Sequence, residues 1–423
     1  MAICIALILS ITRTAAADSS APPYYIYLPA ILTGNWSQTF VDSPKYFSDL
    51  GTRAVQFDSN ENPCVVYGND HLYYSCWNGA KWVDEVVDDD PGVGRFATLA
   101  FDSHDYPHIA YYDETNSMLR YAYWNGSVWK IDFVDGSLLV PSPELDSNPS
   151  QADGAPDLLQ DNLQLDPSAV DGIESPGPLR GLISHKQGVG GYPSLALDKQ
   201  NQAHIAYYDF SLKNLKYAVK QNGTWSKVTV DSTGDVGTYP SLAVTSSGSP
   251  IIAYYDATNG KLKLATQSGS TWTRITLDGS DSTTDNKVGL YASLVLDSAD
   301  QPRIAYYNSS AHTLKYWRNG SAKTLGSNMG QYASLRLHPD GRAFITYFNE
   351  ADQNLAMISL TSAGSDGEWV VDQVDSDNYV GRMGSLAISK AGLIGMVYYH
   401  SSNSELRYAE IHSIGTKIRI IDT

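Results

Sequence analysis

Basic residues, cysteines and catalytic signatures are all scarce in this chain of 423 residues. Its 29 Lys and Arg residues are outnumbered by 46 Asp and Glu residues, which gives a formal net charge of −17. A surface of that sign repels phosphate backbones and anionic membranes, so we expect no nucleic-acid partner. The chain has three cysteines, and no His-Cys pair indicates a cysteine nucleophile.

Motifs of the common enzyme classes are also absent. The sequence has no G-x-S-x-G elbow, no H-E-x-x-H motif and no phosphate-cradling glycine loop. It lacks the D-x-D-x-D-G loop typical of calcium sites. The sequence therefore predicts no cofactor and no metal site, with calcium at an acidic loop as the weaker alternative, and it favours binding over catalysis.

The apolar stretch at the start of the chain, Ala2–Ile11, is too short to span a bilayer. It is followed by Ala15-Ala16-Ala17, which is typical of a secretory signal cut before Asp18, although no base precedes the apolar run. Removing residues 1–17 takes away Arg13 and no acid, so the net charge becomes −18. We expect a secreted or cell-surface protein without membrane insertion.

A sequence repeat dominates the rest of the chain. The phrase Y-x-S-L-x-x-D, x-x-x-x-P-x-I-A-Y-Y-D, L-K-Y-A, N-G-x-x-W recurs seven times in degenerate form. Within a unit, short apolar runs rich in β-branched and aromatic residues alternate with Gly, Asn, Asp and Ser, which is typical of strands joined by tight turns. Seven such units predict an all-β fold, a seven-bladed β-propeller of four-stranded antiparallel blades.

The repeat spans residues 35–423, after a linker at 18–34, and is interrupted by an acidic, Pro-rich insertion at about 136–188 between blades 2 and 3. We interpret the insertion as a long irregular loop, because its composition buries little apolar surface. Two terminal segments compete to be the last outer strand. They are Asn35–Asp42 and Lys417–Ile421, and the sequence does not choose between them.

Cys64 and Cys76 lie symmetrically about the tight turn at Asp70. A hairpin would place them opposite each other, which is compatible with a disulfide in an exported protein. Two buried thiols are the alternative.

Strand order places the interblade loops and the second-to-third-strand turns on one face, and those loops are rich in Asp. On the same face, the residue after the tyrosine doublet is usually acidic or an amide. As candidate ligand-binding residues we name Asp113, Asp209, Asp256 and Asn308. The alternative is that these side chains hold their turns by bonding backbone N–H groups.

The residue that heads each first strand forms a second candidate ring near the axis. Its members are Thr52, Phe96, Tyr192, Tyr239, Tyr291, Tyr332 and Met383. A tyrosine offers a flat face and a hydroxyl to a sugar, and interblade packing is the alternative. One position earlier, Arg95 and Arg382 could meet an anion or offset nearby acids.

Tryptophans follow a glycine at the third-to-fourth-strand turn in five units: Trp82, Trp129, Trp225, Trp272 and Trp369. With Ser365-Asp366-Gly367-Glu368-Trp369, this resembles a degenerate Asp-box (BNR) turn of sialidase-like propellers. The array is similar to secreted bacterial propellers of unknown or lectin-like function. The resemblance implies the fold, but the three converging arginines that sialidases need are not evident.

These observations predict an exported, non-catalytic, monomeric binding module for an extracellular glycan or protein, which uses the acidic face of the propeller. A carbohydrate-active enzyme, either a glycoside hydrolase or a lyase, and a structural or surface-display protein are the alternatives.

Overall fold

A computed structural model describes residues 37–42, 49–136, 188–279, 287–362, 367–377, 379–401 and 405–411. The predicted signal, the linker, residues 137–187 of the insertion and the segment Lys417–Ile421 lie outside these residues. Every regular element in the described ranges is a β-strand. No helix there is long and apolar enough to cross a membrane.

The strands form seven four-stranded antiparallel sheets, which confirms the predicted seven-bladed propeller. Blades 1 to 4 comprise β2 (Val55–Phe57), β3 (Pro63–Gly68), β4 (Leu72–Trp77), β5 (Trp82–Asp88); β6 (Val93–Phe101), β7 (Pro107–Asp113), β8 (Met118–Trp124), β9 (Trp129–Asp135); β10 (Val189–Leu197), β11 (Ala203–Asp209), β12 (Asn214–Gln221), β13 (Thr224–Asp231); and β14 (Val236–Val244), β15 (Pro250–Asp256), β16 (Lys261–Ser268), β17 (Thr271–Asp278). Blades 5 to 7 comprise β18 (Val288–Leu296), β19 (Pro302–Asn308), β20 (Thr313–Arg318), β21 (Ser321–Ser327); β22 (Met329–Leu337), β23 (Ala343–Asn349), β24 (Asn354–Leu360), β25 (Trp369–Asp375); and β26 (Val380–Ile388), β27 (Ile394–His400), β28 (Glu405–Ile411) with β1 (Ser37–Asp42).

The burial of each strand depends on its position in the blade. Second strands such as β7, β11 and β15 are buried at every position, because neighbouring blades cover both of their faces. Outer strands such as β13 and β17 are mostly exposed. The apolar runs of the repeat therefore become buried when the blades stack side by side.

The ring is closed by β1 (Ser37–Asp42), which joins the last blade. β1 pairs antiparallel with β28, with Ser37 opposite Glu410, so it supplies the outer strand of blade 7. This answers the question left open by the two competing terminal segments, because blade 7 takes its fourth strand from Ser37–Asp42.

Inner strands of neighbouring blades are joined by serine hydroxyls. The backbone N–H of Leu242 donates to Ser194 Oγ at 2.9 Å, and that of Leu294 donates to Ser241 Oγ at 2.9 Å. The N–H of Val55 in blade 1 donates to Ser385 Oγ in blade 7 at 3.3 Å. The serine of the repeated Y-x-S-L phrase thus ties consecutive blades together around the axis.

Two cysteines face each other within blade 1. Cys64 of β3 is directly opposite Cys76 of β4. Their Cα atoms are 4.1 Å apart, and the structure joins their sulfur atoms.

Candidate functional site

A bulge recurs at the channel mouth in the inner strands of blades 2 to 7. In β10 the pairing with β11 shifts between Gly191 and Ser194, and Tyr192 at the shift has φ of 51°. The residues at the matching positions have φ between 50° and 57°; they are Phe96, Tyr192, Tyr239, Tyr291, Tyr332 and Met383. A positive φ costs a bulky side chain roughly 1–3 kcal/mol. The strain is repeated in six blades, and it re-aims six side chains in the same way.

Five of these side chains form a continuous aromatic surface, which we call the aromatic crescent: Phe96, Tyr192, Tyr239, Tyr291 and Tyr332. Their ring centroids follow one another at 4.5, 5.0, 4.7 and 4.6 Å. Phe96 is 5% exposed, and the four tyrosines are half-buried. The crescent therefore runs over blades 2 to 6 and presents four phenol rings at the mouth.

Blade 1 has no equivalent ring member at Thr52, because its inner strand begins only at Val55. The segment before it fills the gap between the crescent and blade 7. The backbone N–H of Asp49 lies 3.1 Å from Met383 Sδ, and the carbonyl of Asp49 accepts from the N–H of Phe96 at 2.9 Å.

Phe210 adds a further aromatic ring next to the crescent, and the sequence did not lead us to predict it as a site residue. Its ring centroid lies 5.8 Å from Tyr192, 5.6 Å from Tyr112 and 5.3 Å from Tyr208. A Cβ at Gly191 would lie 2.2 Å from Phe210 Cζ, so the glycine leaves room for the ring. The signal was present in the sequence, since the Tyr-Tyr-Asp of blade 3 is followed by Phe where blades 2 and 4 have Glu and Ala.

Two of the crescent tyrosines, Tyr291 and Tyr332, are neutral hydrogen-bonding groups. Burial, followed by the neighbouring Tyr239 and Tyr332, raises the pKa of Tyr291 well above its usual value. Burial also raises the pKa of Tyr332, although Arg382 opposes the shift. These phenols stay protonated at neutral pH, which suits hydrogen bonds to hydroxyls and disfavours a tyrosinate nucleophile.

The two arginines beside the crescent differ in their partners. Arg95 Nε donates to Asp49 Oδ2 at 2.7 Å, and its Nη1 donates to Glu114 Oε1 at 2.8 Å, so two carboxylates offset its charge. Arg382 lies over the ring of Phe348 at 5.2 Å and has no ion pair among the described residues. Of the two, Arg382 is the cation available to a ligand.

The four polar candidates on the turns are buried, and their side chains accept hydrogen bonds from backbone N–H groups of the same turn. Asp113, Asp209, Asp256 and Asn308 are between 0 and 8% exposed. Asp113 Oδ1 accepts from the N–H of Asn116 at 2.8 Å, and Asp256 Oδ1 accepts from that of Asn259 at 2.9 Å. The same bonds form from Leu212 to Asp209 and from Ser310 to Asn308. We therefore leave these four residues out of the binding surface.

The first Asp of each acidic interblade loop points into the interface between blades. Asp231 Oδ2 accepts from the hydroxyl of Tyr254 at 2.7 Å and from Lys263 Nζ at 2.6 Å. The same Tyr-Asp-cation group, which we call the interblade latch, forms at five interfaces; its aspartates are Asp88, Asp135, Asp231, Asp278 and Asp375. Burial opposes ionisation, but Lys263 and Tyr254 outweigh it and lower the pKa of Asp231.

The latches place the first Asp of these described loops between blades. Asp88, Asp231 and Asp375 are only 1–3% exposed, because each is used between two blades. Asp88, Asp89 and Asp90 are the one acidic group in the described residues that is close enough to hold a cation. Arg120 Nη1 already bonds Asp88 and Asp90, at 2.9 and 2.6 Å.

Asp372 on β25 is a buried carboxyl that lacks such a partner. It is 7% exposed, and Oδ2 has no hydrogen-bond partner among the described residues. Burial raises its pKa to about 6.

This shift predicts a pH dependence of stability. Because the folded pKa lies above the unfolded value of about 3.9, the folded state binds the proton more tightly, and stability should fall as pH rises from about 4 to about 6. The shift corresponds to roughly 2–3 kcal/mol. Urea unfolding at pH 4 and pH 7.5 should therefore show a smaller decrease for Asp372→Asn than for the wild type. Equal decreases in both proteins would contradict the assignment.

No protein-family model and no curated protein matches this chain. Among solved structures, it is similar to a PL25 ulvan lyase, with a TM-score of 0.52, 11% identity, and coverage of 88% of this chain and 94% of the lyase. It is also similar to the Aleuria aurantia lectin, with a TM-score of 0.44, 11% identity, and coverage of 79% and 98%. A nutrient-binding protein from Bacteroides thetaiotaomicron matches with a TM-score of 0.43, 9% identity, and coverage of 88% and 75%. At these identities the likeness shows the fold alone.

Proposed function

We propose that this chain is an exported binding module that holds a glycan on the aromatic crescent at the channel mouth. The observation that carries the proposal is the strained bulge repeated in six blades, which sets Tyr192, Tyr239, Tyr291 and Tyr332 side by side. Backbone strain of this kind persists where the surroundings enforce it and is concentrated at functional sites.

The chemistry of the crescent suits a sugar. Aromatic faces pack against the apolar side of a sugar ring, while phenol hydroxyls bond its hydroxyl groups. Four tyrosines in a row provide both contacts along a continuous surface, which fits an oligosaccharide better than a single sugar. The ulvan lyase gives a precedent for polysaccharide recognition on this fold, but the crescent itself carries the proposal.

Binding is favoured over catalysis by the state of the nearby ionisable groups. Tyr291 and Tyr332 remain protonated phenols, and Arg95 is occupied by two carboxylates. Five aspartates of the described interblade loops are committed to latches, so these five are not free to serve as the pair of carboxylates that glycoside hydrolysis uses.

A glycan array with the wild-type protein tests the proposal, followed by titration calorimetry with the best ligand. Tyr239→Ala and Tyr291→Ala should each weaken binding at least tenfold, because aromatic residues at the centre of an interface carry much of its energy. Tyr291→Phe keeps the ring and loses the hydroxyl, so it should weaken binding less than Tyr291→Ala.

Phe133→Ala is the matched control, because Phe133 is 55% exposed on the outer strand β9, away from the mouth. It should bind as the wild type does. The proposal fails if no glycan binds, or if the two crescent variants bind as well as the control. Turnover of a polysaccharide by the wild type would favour the enzyme alternative.

A further inference from the structure

Two arginines reach across the axial channel. Arg53 of blade 1 donates from Nη2 to the carbonyl of Leu294 in blade 5 at 2.9 Å. Arg336 of blade 6 donates from Nη2 to the carbonyl of Thr52 in blade 1 at 3.3 Å. The strands of blade 1 pack beside those of blades 7 and 2, so both bonds connect blades that are not neighbours in the ring. The Thr52 carbonyl also accepts from Ser334 Oγ of blade 6 at 3.1 Å, so the segment before β2 lies beside the inner strand of that blade.

These two guanidinium groups have no carboxylate partner among the residues that the structure describes. Their hydrogen bonds go to backbone carbonyls, including one from Arg336 Nη1 to its neighbour Leu335 at 2.7 Å. In the described part of the chain, no carboxylate oxygen lies within 4.0 Å of either group. By contrast, Arg95, Arg120 and Arg407 each bond two or more acids. The pair thus lacks the ion pairs that these three arginines form, in a protein with a net charge of −17.

The repeat does not require arginine at either position. The equivalents of Arg53 in the other blades are Ala97, Pro193, Pro240, Ala292, Ala333 and Gly384. The equivalents of Arg336 are Gln56, Ala100, Ala196, Ala243, Val295 and Ala387. Small residues suffice to build the inner strands of the other blades, so the two charges need an explanation other than the fold.

Burying the positive charges of Arg53 and Arg336 lowers the stability of the folded protein unless an anion binds between them. Burial lowers the pKa of Arg53 to about 10, and burial together with the charge of Arg53 lowers the pKa of Arg336 well below its usual value. Two neighbouring like charges out of bulk water are unfavourable without a counter-charge. Both residues are half-buried, so each keeps part of its surface accessible to solvent.

We propose that Arg53 and Arg336 bind one small oxyanion in the channel, a carboxylate, sulfate or phosphate group. Each guanidinium has five N–H donors, and these bonds to carbonyls leave several of them free for the anion. Planar guanidinium groups match oxyanions through paired hydrogen bonds. The oxyanion is either a free ion or the acid group of a glycan on the crescent, and only the second case rests on the proposed function.

The first test needs no glycan. Thermal unfolding of the full chain is followed while sulfate replaces chloride at constant ionic strength. The wild type should show a saturable rise in Tm, whereas Arg53→Gln/Arg336→Gln should show only the unsaturated rise that excluded salts produce. Arg342→Gln is the control, because Arg342 is paired with the exposed Asp340, and it should respond like the wild type. Identical curves for all three proteins would overturn the proposal.

A second test uses wild-type protein only, in case the double variant does not fold. Crystals soaked in sodium bromide should show an anomalous peak between the two guanidinium groups. A channel without such a peak would show that the arginines serve only to plug it.

The source of the oxyanion is decided by comparing a uronate-bearing oligosaccharide with its neutral methyl ester. At least tenfold tighter binding of the acid, lost in Arg53→Gln/Arg336→Gln, would assign the site to the glycan. Equal binding together with a saturable sulfate effect would assign it to a free ion. If no glycan binds, the proposed function fails, but the sulfate test still shows whether Arg53 and Arg336 bind an anion. The two proposals can therefore be tested independently.

Discussion

Arg120→Met should lower the free energy of unfolding by about 3–5 kcal/mol, the usual cost of leaving a buried charge without its partner. Arg120 is 2% exposed, and its guanidinium lies 2.9 Å from Asp88 and 2.5 Å from Asp113. Those two carboxyls are 3% and 0% exposed, so methionine would leave two buried acids without their cation. Chemical denaturation at pH 7 measures the loss.

Removing the two acids as well separates this cause from lost packing. In an Asp88→Asn/Asp113→Asn background no buried carboxylate is left without its cation, so Arg120→Met should cost less stability there than in the wild type. Arg342→Met is the control. Its partner Asp340 is 43% exposed in its side chain, so the change should cost at most about 1 kcal/mol. If Arg120→Met costs no more than Arg342→Met, the latch does not stabilise the ring as described.

Reducing the bond between Cys64 and Cys76 should lower the free energy of unfolding by about 3 kcal/mol, from the loop-closure entropy of a loop this size. The bond closes a short loop, because the two cysteines are 12 residues apart. It lies inside blade 1, which has only three residues in its inner strand. Denaturation of the oxidised and the reduced protein gives the difference.

Cys64→Ala/Cys76→Ala is the control, since its stability should not respond to reductant. Thiol titration of the unfolded, unreduced protein should find neither Cys64 nor Cys76 free. Two free thiols, or a stability unchanged by reduction, would support the alternative of two buried cysteines.

The ring of tyrosines was predictable because it follows from repeat position alone. Counting along each unit placed Tyr239 and Tyr291 in the inner strands of their blades, close to the axis. The prediction that they head those strands was wrong, because the strands begin three residues earlier, at Val236 and Val288. What counting could not show is the bulge. The positive φ that turns each ring belongs to backbone geometry, and the sequence there reads as an ordinary strand.

The latch role of the loop aspartates could not be predicted from the sequence, for a different reason. Asp231 and Tyr254 belong to different blades, and only the packing of one blade on the next brings them together. Three of the five latches did share a sequence signal, since their Asp and Tyr are 23 positions apart. These are the latches of Asp88, Asp231 and Asp375. Arg53 and Arg336 were missed because they break the repeat instead of following it.

A crystal structure with the glycan that binds best on the array tests the central claim most directly. The account predicts sugar density stacked on Tyr239 and Tyr291, with ligand hydroxyls within hydrogen-bond distance of the phenols. Density on the outer strands or on the opposite face, with the crescent empty, would contradict it.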